Sequence, residues 1–114
     1  MLPKALVAAS LKPIMLSLLA EQDLYGYQII QRVYTLSDGK IQWTANKLYP
    51  LLHSLENKGF VEAYWRPSES GPDRKYYRLT PLGHEALEHT KRDWLDLNAI
   101  LVKLWGPELL LGHV

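Results

Sequence analysis

The 114-residue chain has no cysteine, which excludes disulfides and thiolate metal sites and leaves its redox compartment open. It has no run of about 18 or more apolar residues, so a membrane span is unsupported. It has no excess of charge either. Thirteen Lys and Arg stand against 12 Asp and Glu, a formal +1, which is not the balance of an indiscriminate polyanion binder. There is no glycine-rich phosphate loop, no Ser-His-acid arrangement at recognisable spacing and no thiol nucleophile, so the chain reads as a binding protein and not an enzyme. One small domain is expected, short enough that oligomerisation is a natural way to bury additional apolar surface.

The opening stretch, MLPKALVAASLKPIMLSLLAEQ, has the basic residue, small residues and apolar run of a signal peptide. Lys12 and Pro13 interrupt that run, and Leu11, Ile14 and Leu18 fall at helical spacing, as in an amphipathic helix entering a core. A soluble chain is therefore expected. The first helix is placed at about residues 11–21, capped by Ser10 and preceded by a short helical or loose segment at 3–9. A turn at 23–25 leads to a second helix at 26–37 with Tyr27, Ile30, Val33 and Tyr34 inward. Ser37-Asp38-Gly39 ends it, and residues 40–43 read as a short strand.

Residues 44–80 form one continuous device. In TANKLYPLLHSLENKG, Leu48, Leu51, Leu52 and Leu55 make an apolar stripe, with Thr44 as cap and Gly59 as stop. The opposite face carries Asn46, Tyr49, Pro50, His53 and Asn57, groups that hydrogen-bond phosphates and base edges. Pro50, inside the helix, removes a backbone donor and is read as an early kink. Beyond Gly59 the period changes to two. Val61, Ala63 and Trp65 share one side of a strand; Phe60, Glu62, Tyr64 and Arg66 share the other. After a turn-rich PSESGPD loop, Lys75, Tyr77 and Leu79 alternate with Arg74, Tyr76 and Arg78, which lines one hairpin face with arginines. Gly71-Pro72-Asp73 is turn chemistry, and a basic, flexible tip is expected. Helix, strand, loop and strand in this order are the winged-helix signature, which points to DNA.

Thr80-Pro81 announces the last helix, with threonine as cap and proline at the first position, where its missing donor is harmless. Gly106-Pro107 ends it. Leu87, Thr90, Trp94, Leu97, Leu101 and Leu104 are spaced alternately three and four apart, a heptad seam that expects a partner helix. At about 1.5 Å per residue the helix is on the order of 35 Å long, more than a compact winged domain needs for its own core. A surface helix packed only on its own domain is the competing reading.

LYGYQIIQRV (24–33), KLYPLLHSLENKGFV (47–61) and GPDRKYYRLTPLGHEAL (71–87) resemble the PadR family of bacterial transcription regulators, over roughly residues 14–87. With one helix after the wing, the chain is similar to the family's short subgroup. The resemblance implies a mainly α fold with a small β-hairpin wing: a winged helix-turn-helix over residues 1–80, a long C-terminal dimerisation helix over 81–106 and a tail at 107–114. It also implies a cytoplasmic, ligand-responsive repressor acting as a homodimer on a palindromic double-stranded operator. One departure is the Asn46-Lys47 pair, where many relatives carry a small Gly-Thr pair, so the operator sequence does not carry over.

The candidate DNA contacts are Asn46, Lys47, Tyr49 and His53 on the reading helix and Arg66, Arg74, Lys75 and Arg78 on the wing. Competing readings are a Tyr49 ring packed beside the wing, a solvated or capping His53, and at least one wing cation that is simply a solvated strand residue. Trp94 lies ten residues after His84 of Gly83-His84-Glu85, the register in which the resembling short-subgroup relatives bind planar hydrophobic drugs. Two Trp94 rings facing across a two-fold axis would sandwich such an effector, with Leu6, Ala9, Pro13 and Asn98 as pocket walls; otherwise Trp94 fills a dimer core.

Charge follows the same division. Residues 44–78 hold six basic against four acidic residues, and 80–114 hold three against five, so the wing is positive and the last helix negative. Ordinary solvated faces explain this nearly as well. His84 with Glu88 and Glu85 with His89 are each four apart, but two ligands do not make a metal site; no metal and no cofactor are expected. The alternative function is a protein-interaction module that uses Tyr64, Trp65, Tyr76 and Tyr77 as its partner surface.

Overall fold

The computed structural model describes residues 2–106; the tail at 107–114, with Pro107, lies outside the described residues. Four helices and three strands follow in the order α1 (Lys4–Glu21), β1 (Leu24–Tyr25), α2 (Gly26–Leu36), α3 (Ala45–Asn57), β2 (Val61–Ser68), β3 (Gly71–Leu79) and α4 (Pro81–Trp105). The winged helix-turn-helix with a long C-terminal helix is as expected from the sequence. None of the described helices is long and apolar enough to cross a membrane.

The first helix is longer than the sequence suggests. Residues 4–21 are one helix that runs through Pro13, and Ser10 lies inside it and donates its hydroxyl to the Val7 carbonyl (2.7 Å) instead of capping. Of the two readings of residues 3–9, short helical or loose, the helical one holds, in keeping with Ala5, Ala8 and Ala9, since alanine is the best helix former. Met15, Leu16, Leu18 and Leu19 from the second half of α1 enter the core.

The core gathers Ile29 and Val33 of α2, Leu48, Leu52 and Leu55 of α3, Val61, Tyr77 and Leu79 of the sheet, and Leu87 of α4. On α2, Val33 is buried and Ile30 packs against the core as expected, whereas Tyr27 and Tyr34 are 59% and 52% exposed and Ile29 is buried in their place. The two tyrosines read as apolar but lie outside.

The third strand is β1, not residues 40–43. Leu24 and Tyr25 pair antiparallel with Tyr77 and Tyr76, giving the order β1-β3-β2. Residues 40–43 need no strand partner. The Ser37 hydroxyl accepts from the Ile41 N–H (3.0 Å) and donates to the Val33 carbonyl (2.8 Å), while Ile41 and Trp43 anchor the connection by burial.

In the hairpin, Val61, Ala63 and Trp65 lie opposite Leu79, Tyr77 and Lys75, and Glu62, Tyr64 and Arg66 lie opposite Arg78, Tyr76 and Arg74. The two faces are those the alternation gives. The loop is shorter than expected, because the strands run on to Ser68 and Gly71 and only Glu69 and Ser70 remain between them. Gly71-Pro72-Asp73 belongs to β3, and with Glu69 and Asp73 the tip is acidic, not basic. The register slips between Arg66 and Ser68, where Pro67 has no N–H to contribute to a ladder.

Candidate nucleic-acid interface

Helix α3 buries Leu48, Leu52 and Leu55 and turns Asn46, Lys47, Tyr49, Pro50, His53 and Asn57 to solvent. The helix continues through Pro50. Thr44 precedes the helix with an extended backbone, but its hydroxyl takes no capping hydrogen bond; its carbonyl accepts from Lys47 N–H at 3.1 Å and Leu48 N–H at 2.9 Å. The side-chain cap expected there is absent. Tyr49 is 41% exposed and lies across Gly26, the first residue of α2. Its ring thus has one packed edge and one open face.

The wing divides its cations between two sides. Arg66, Arg74 and Arg78 lie on the face away from the core, and Lys75 on the other, beside the Tyr77 ring at 5.7 Å. Arg78 donates to Glu62 at 2.9 Å and lies 4.8 Å over Tyr64. It is the most committed of the four. Arg66 lies 4.3 Å over Tyr76, and Arg74 lies 4.7 Å over Tyr25. Stacking on a ring leaves guanidinium N–H groups free at the edge, so these two remain able to hold phosphates.

The tyrosines beneath are interlocked. Tyr76 meets Tyr25 edge-on at 5.3 Å and stacks on Tyr64 at 5.9 Å. Tyr64 donates its hydroxyl to Asp23 Oδ2, the carboxylate between α1 and β1. That hydrogen bond, then burial, raises the Tyr64 hydroxyl above the ordinary tyrosine value, while Arg66 and Arg78 pull the other way.

The expected partner surface of hairpin aromatics is not one surface. Tyr77 is 2% exposed and sits in the core, Tyr64 and Tyr76 lie half-buried on the far face under arginines, and only Trp65 is open, at 65% exposure. Trp65 faces the α3 side of the sheet, opposite Lys75. It was missed as a candidate reader of DNA, although its alternation with Ala63 and Val61 and its position beyond the core edge were available in the sequence. Tyr25, Asp23 and Tyr27 were missed because nothing local marks them as neighbours of the wing or as exposed.

Along α4, Thr80 accepts from Gly83 N–H at 3.0 Å with Pro81 next, and Gly106 at φ 94° ends the helix. Leu87 and Thr90 are buried within the protomer, Trp94, Asn98 and Leu101 are half-buried, and Leu97 and Leu104 are 47% and 74% exposed. Leu6 and Ala9 are exposed and Pro13 half-buried on α1, which packs along α4. Pro13 lines an apolar groove with Ile14, Leu18 and Leu36. His84, Glu85, Glu88 and His89 share a shallow depression with Arg92; among the described residues no three such side chains come together as a metal site would require.

Similarity to known proteins follows the same segment. The profile of the transcriptional regulator PadR-like family matches residues 15–89. A transcriptional regulator from Clostridium thermocellum superposes with a TM-score of 0.80 at 26% identity, over 90% of this chain and 99% of that one. A PadR family transcriptional regulator from Eggerthella lenta DSM 2243 gives 0.74 at 34% identity, over 90% and 88%. An uncharacterized protein of Lysinibacillus sphaericus is 33% identical over 96 residues, 84% of this chain and 88% of that protein. The profile runs from within α1 through the sheet into the first turns of α4, the relatives span most of the chain, and the chain belongs to the PadR-like family of transcriptional regulators.

Proposed function

We propose that this regulator is a cytoplasmic homodimeric repressor that reads a palindromic DNA operator with α3 and steadies itself on the flanking backbone with the wing. The observation that carries this reading is the exposed polar face of α3, from Asn46 to Asn57, standing beside arginines that keep free N–H groups. Asn46, Lys47, Tyr49 and His53 meet base edges, and Arg66, Arg74 and Lys75 hold phosphates. Arg78, paired with Glu62, contributes least. Two reading helices entering successive major grooves must stand about 34–36 Å apart, a separation that a dimer formed through α4 sets.

A planar hydrophobic effector between two Trp94 rings, walled by Leu6, Ala9, Pro13 and Asn98, changes the angle between protomers and hence that separation. It shifts the population only as far as it binds one arrangement better than the other. The half-exposed Trp94 beside α1 supports this, since a ring already buried in its own protomer would have no face to offer. The wing aromatics support an interaction module less well, because they are split between two faces and the core.

The direct test is fluorescence anisotropy with duplex DNA from upstream of the protein's own gene, over a salt series. Binding well above the level of unrelated duplex, weakening steeply with salt, is expected. Binding no tighter than to unrelated duplex, both there and after selection from random sequence, would remove the assignment. For the effector, flat aromatic compounds are titrated while tryptophan emission is followed; quenching that persists unchanged in Trp94→Ala moves the ligand elsewhere.

A further inference from the structure

Arg66 and Arg74 are direct partners across the hairpin, and like charges directly opposite each other repel. The wing holds them together through its aromatic floor. Arg74 leans over Tyr25, and Arg66 leans over Tyr76 and Tyr64 and donates from Nη2 to the Tyr64 hydroxyl at 3.3 Å. That hydroxyl in turn donates to Asp23. A phenol has one proton to give and lone pairs to receive, so it serves both neighbours at once, and each bond polarises the other. The chain from guanidinium through phenol to carboxylate brings an acidic group to the Arg66 end of the ladder, as Glu62 does at the Arg78 end.

Asp23 is not part of the wing. It lies in the short link between α1 and β1, whereas Tyr64 is 41 residues further on. The bond therefore ties the hairpin to the end of α1, just before the slip at Pro67 re-aims the strand toward the tip. Without it, Arg66 keeps its stacking partner but loses the anchor that fixes its long side chain beside Arg74.

We propose that Asp23 is a positioning residue for DNA binding: through the Tyr64 hydroxyl it holds Arg66 beside Arg74, so that the two guanidiniums grip one stretch of DNA backbone together. The inference rests on the DNA-reading assignment above and adds to it a residue outside the reading helix and wing. The same bond is the main cause that holds the Tyr64 hydroxyl above the ordinary tyrosine range.

The test has two arms on the full chain. In the free protein, NMR observation of the Tyr64 ring carbon through a pH titration is expected to show Tyr64 ionising at lower pH in Asp23→Asn than in the unsubstituted protein. An unchanged titration would mean the bond is not made and would overturn the proposal whatever the DNA results. In the second arm, affinity for duplex DNA is measured for Asp23→Asn, Tyr64→Phe, Arg66→Ala and the Asp23→Asn/Arg66→Ala double variant, with thermal melting of each. Asp23→Asn and Tyr64→Phe are each expected to weaken binding by about fivefold at low salt, with near-normal melting. In the Arg66→Ala background Asp23→Asn should add nothing further, because there is then no guanidinium to hold. An equal loss in both backgrounds, or no loss in either, would refute the positioning role. If the unsubstituted protein binds no DNA, the DNA-reading assignment falls and this role with it, while the titration still reports whether the bond exists.

Discussion

Tyr49 of α3 lies across Gly26, the first residue of α2, so closely that a side-chain carbon on Gly26 would overlap its hydroxyl. The two helices of the helix-turn-helix are thus set against each other through a ring that also belongs to the exposed polar face of α3. The atoms that a methyl group at Gly26 would meet are the far end of a 41% exposed side chain, so the ring can swing away. Gly26→Ala is expected to cost less than about 1 kcal/mol in stability while lowering DNA affinity by about fivefold or more, since the displaced ring no longer sits where a base-edge contact needs it. Urea melts and anisotropy on the same preparation separate the two effects; equal, large losses in both would mean that Tyr49 is packing and nothing more.

Gly83 makes the opposite case. A Cβ there would meet the Phe60 carbonyl and the Leu79 side chain. Backbone does not swing aside, and the same carbonyl accepts from Thr80 N–H at 3.0 Å. Gly83→Ala is expected to destabilise by about 3 kcal/mol through overpacking and loss of that bond. A melting temperature close to that of the unsubstituted protein would contradict this packing of α4 on the hairpin.

Much of this architecture was legible because it is periodic. The leucines of α3 and the alternation of the hairpin each repeat often enough to outvote a single misleading residue, so both faces of α3 and of the sheet came out as read. Where one residue decides, the sequence misleads. Ser37, by holding Ile41, removes the need for a strand at 40–43, and the two-residue β1 has too little length to show a period. On α2, Tyr27 and Tyr34 count as apolar by composition but are exposed, and the buried Ile29 is absent from the expected stripe. The Asp23 to Tyr64 bond joins residues far apart in the chain, and no local pattern announces it.

Trp65 offers a test of which side of the wing meets DNA. It is 65% exposed, opposite Lys75 and on the α3 side of the sheet, whereas Arg66 and Arg74 project from the other side. Trp65→Ala should leave thermal stability nearly unchanged because little is buried there, and should weaken DNA binding across all sequences alike if the indole lies against sugar and backbone. A loss confined to one sequence would make it a base reader; no loss at all would leave contact to the arginine face alone.

Stability at high pH tests the burial of Tyr77. Burial first, then the Glu56 carboxylate and Tyr49, raise its hydroxyl above the ordinary 10.0. The folded form thus keeps its proton where the unfolded chain has begun to lose it. This contribution is fully present below pH 10.0 and is lost as pH rises from there through the folded value. Urea midpoints measured on either side of that point should fall less steeply with pH for Tyr77→Phe than for the unsubstituted protein. Parallel decline in the two would show that Tyr77 titrates as an exposed tyrosine does.

Charge substitution on α4 tests the proposed dimer. Leu97, Ile100 and Leu104 are 47%, 54% and 74% exposed and follow at spacings of three and four, so they form one strip on the helix surface. The heptad seam read from the sequence shares Leu97 and Leu104 with this strip, but its Trp94 and Leu101 are half-buried. The uncovered strip is therefore turned to one side of the seam, with Ile100, absent from that seam, in its middle. Leu95, equally apolar and 65% exposed, stands two residues from Leu97 and about 200° around the helix. In light scattering the unsubstituted protein should give twice the 13.1 kDa of one chain. Leu97→Glu and Ile100→Glu should each reduce this toward one chain, and Leu95→Glu should not. The dissociated variants should also bind DNA far more weakly, because two linked reading helices gain from the effective concentration that a single one lacks. Dissociation by Leu95→Glu with Ile100→Glu still dimeric would put the interface on the other side of α4, and with it a different spacing of the reading helices.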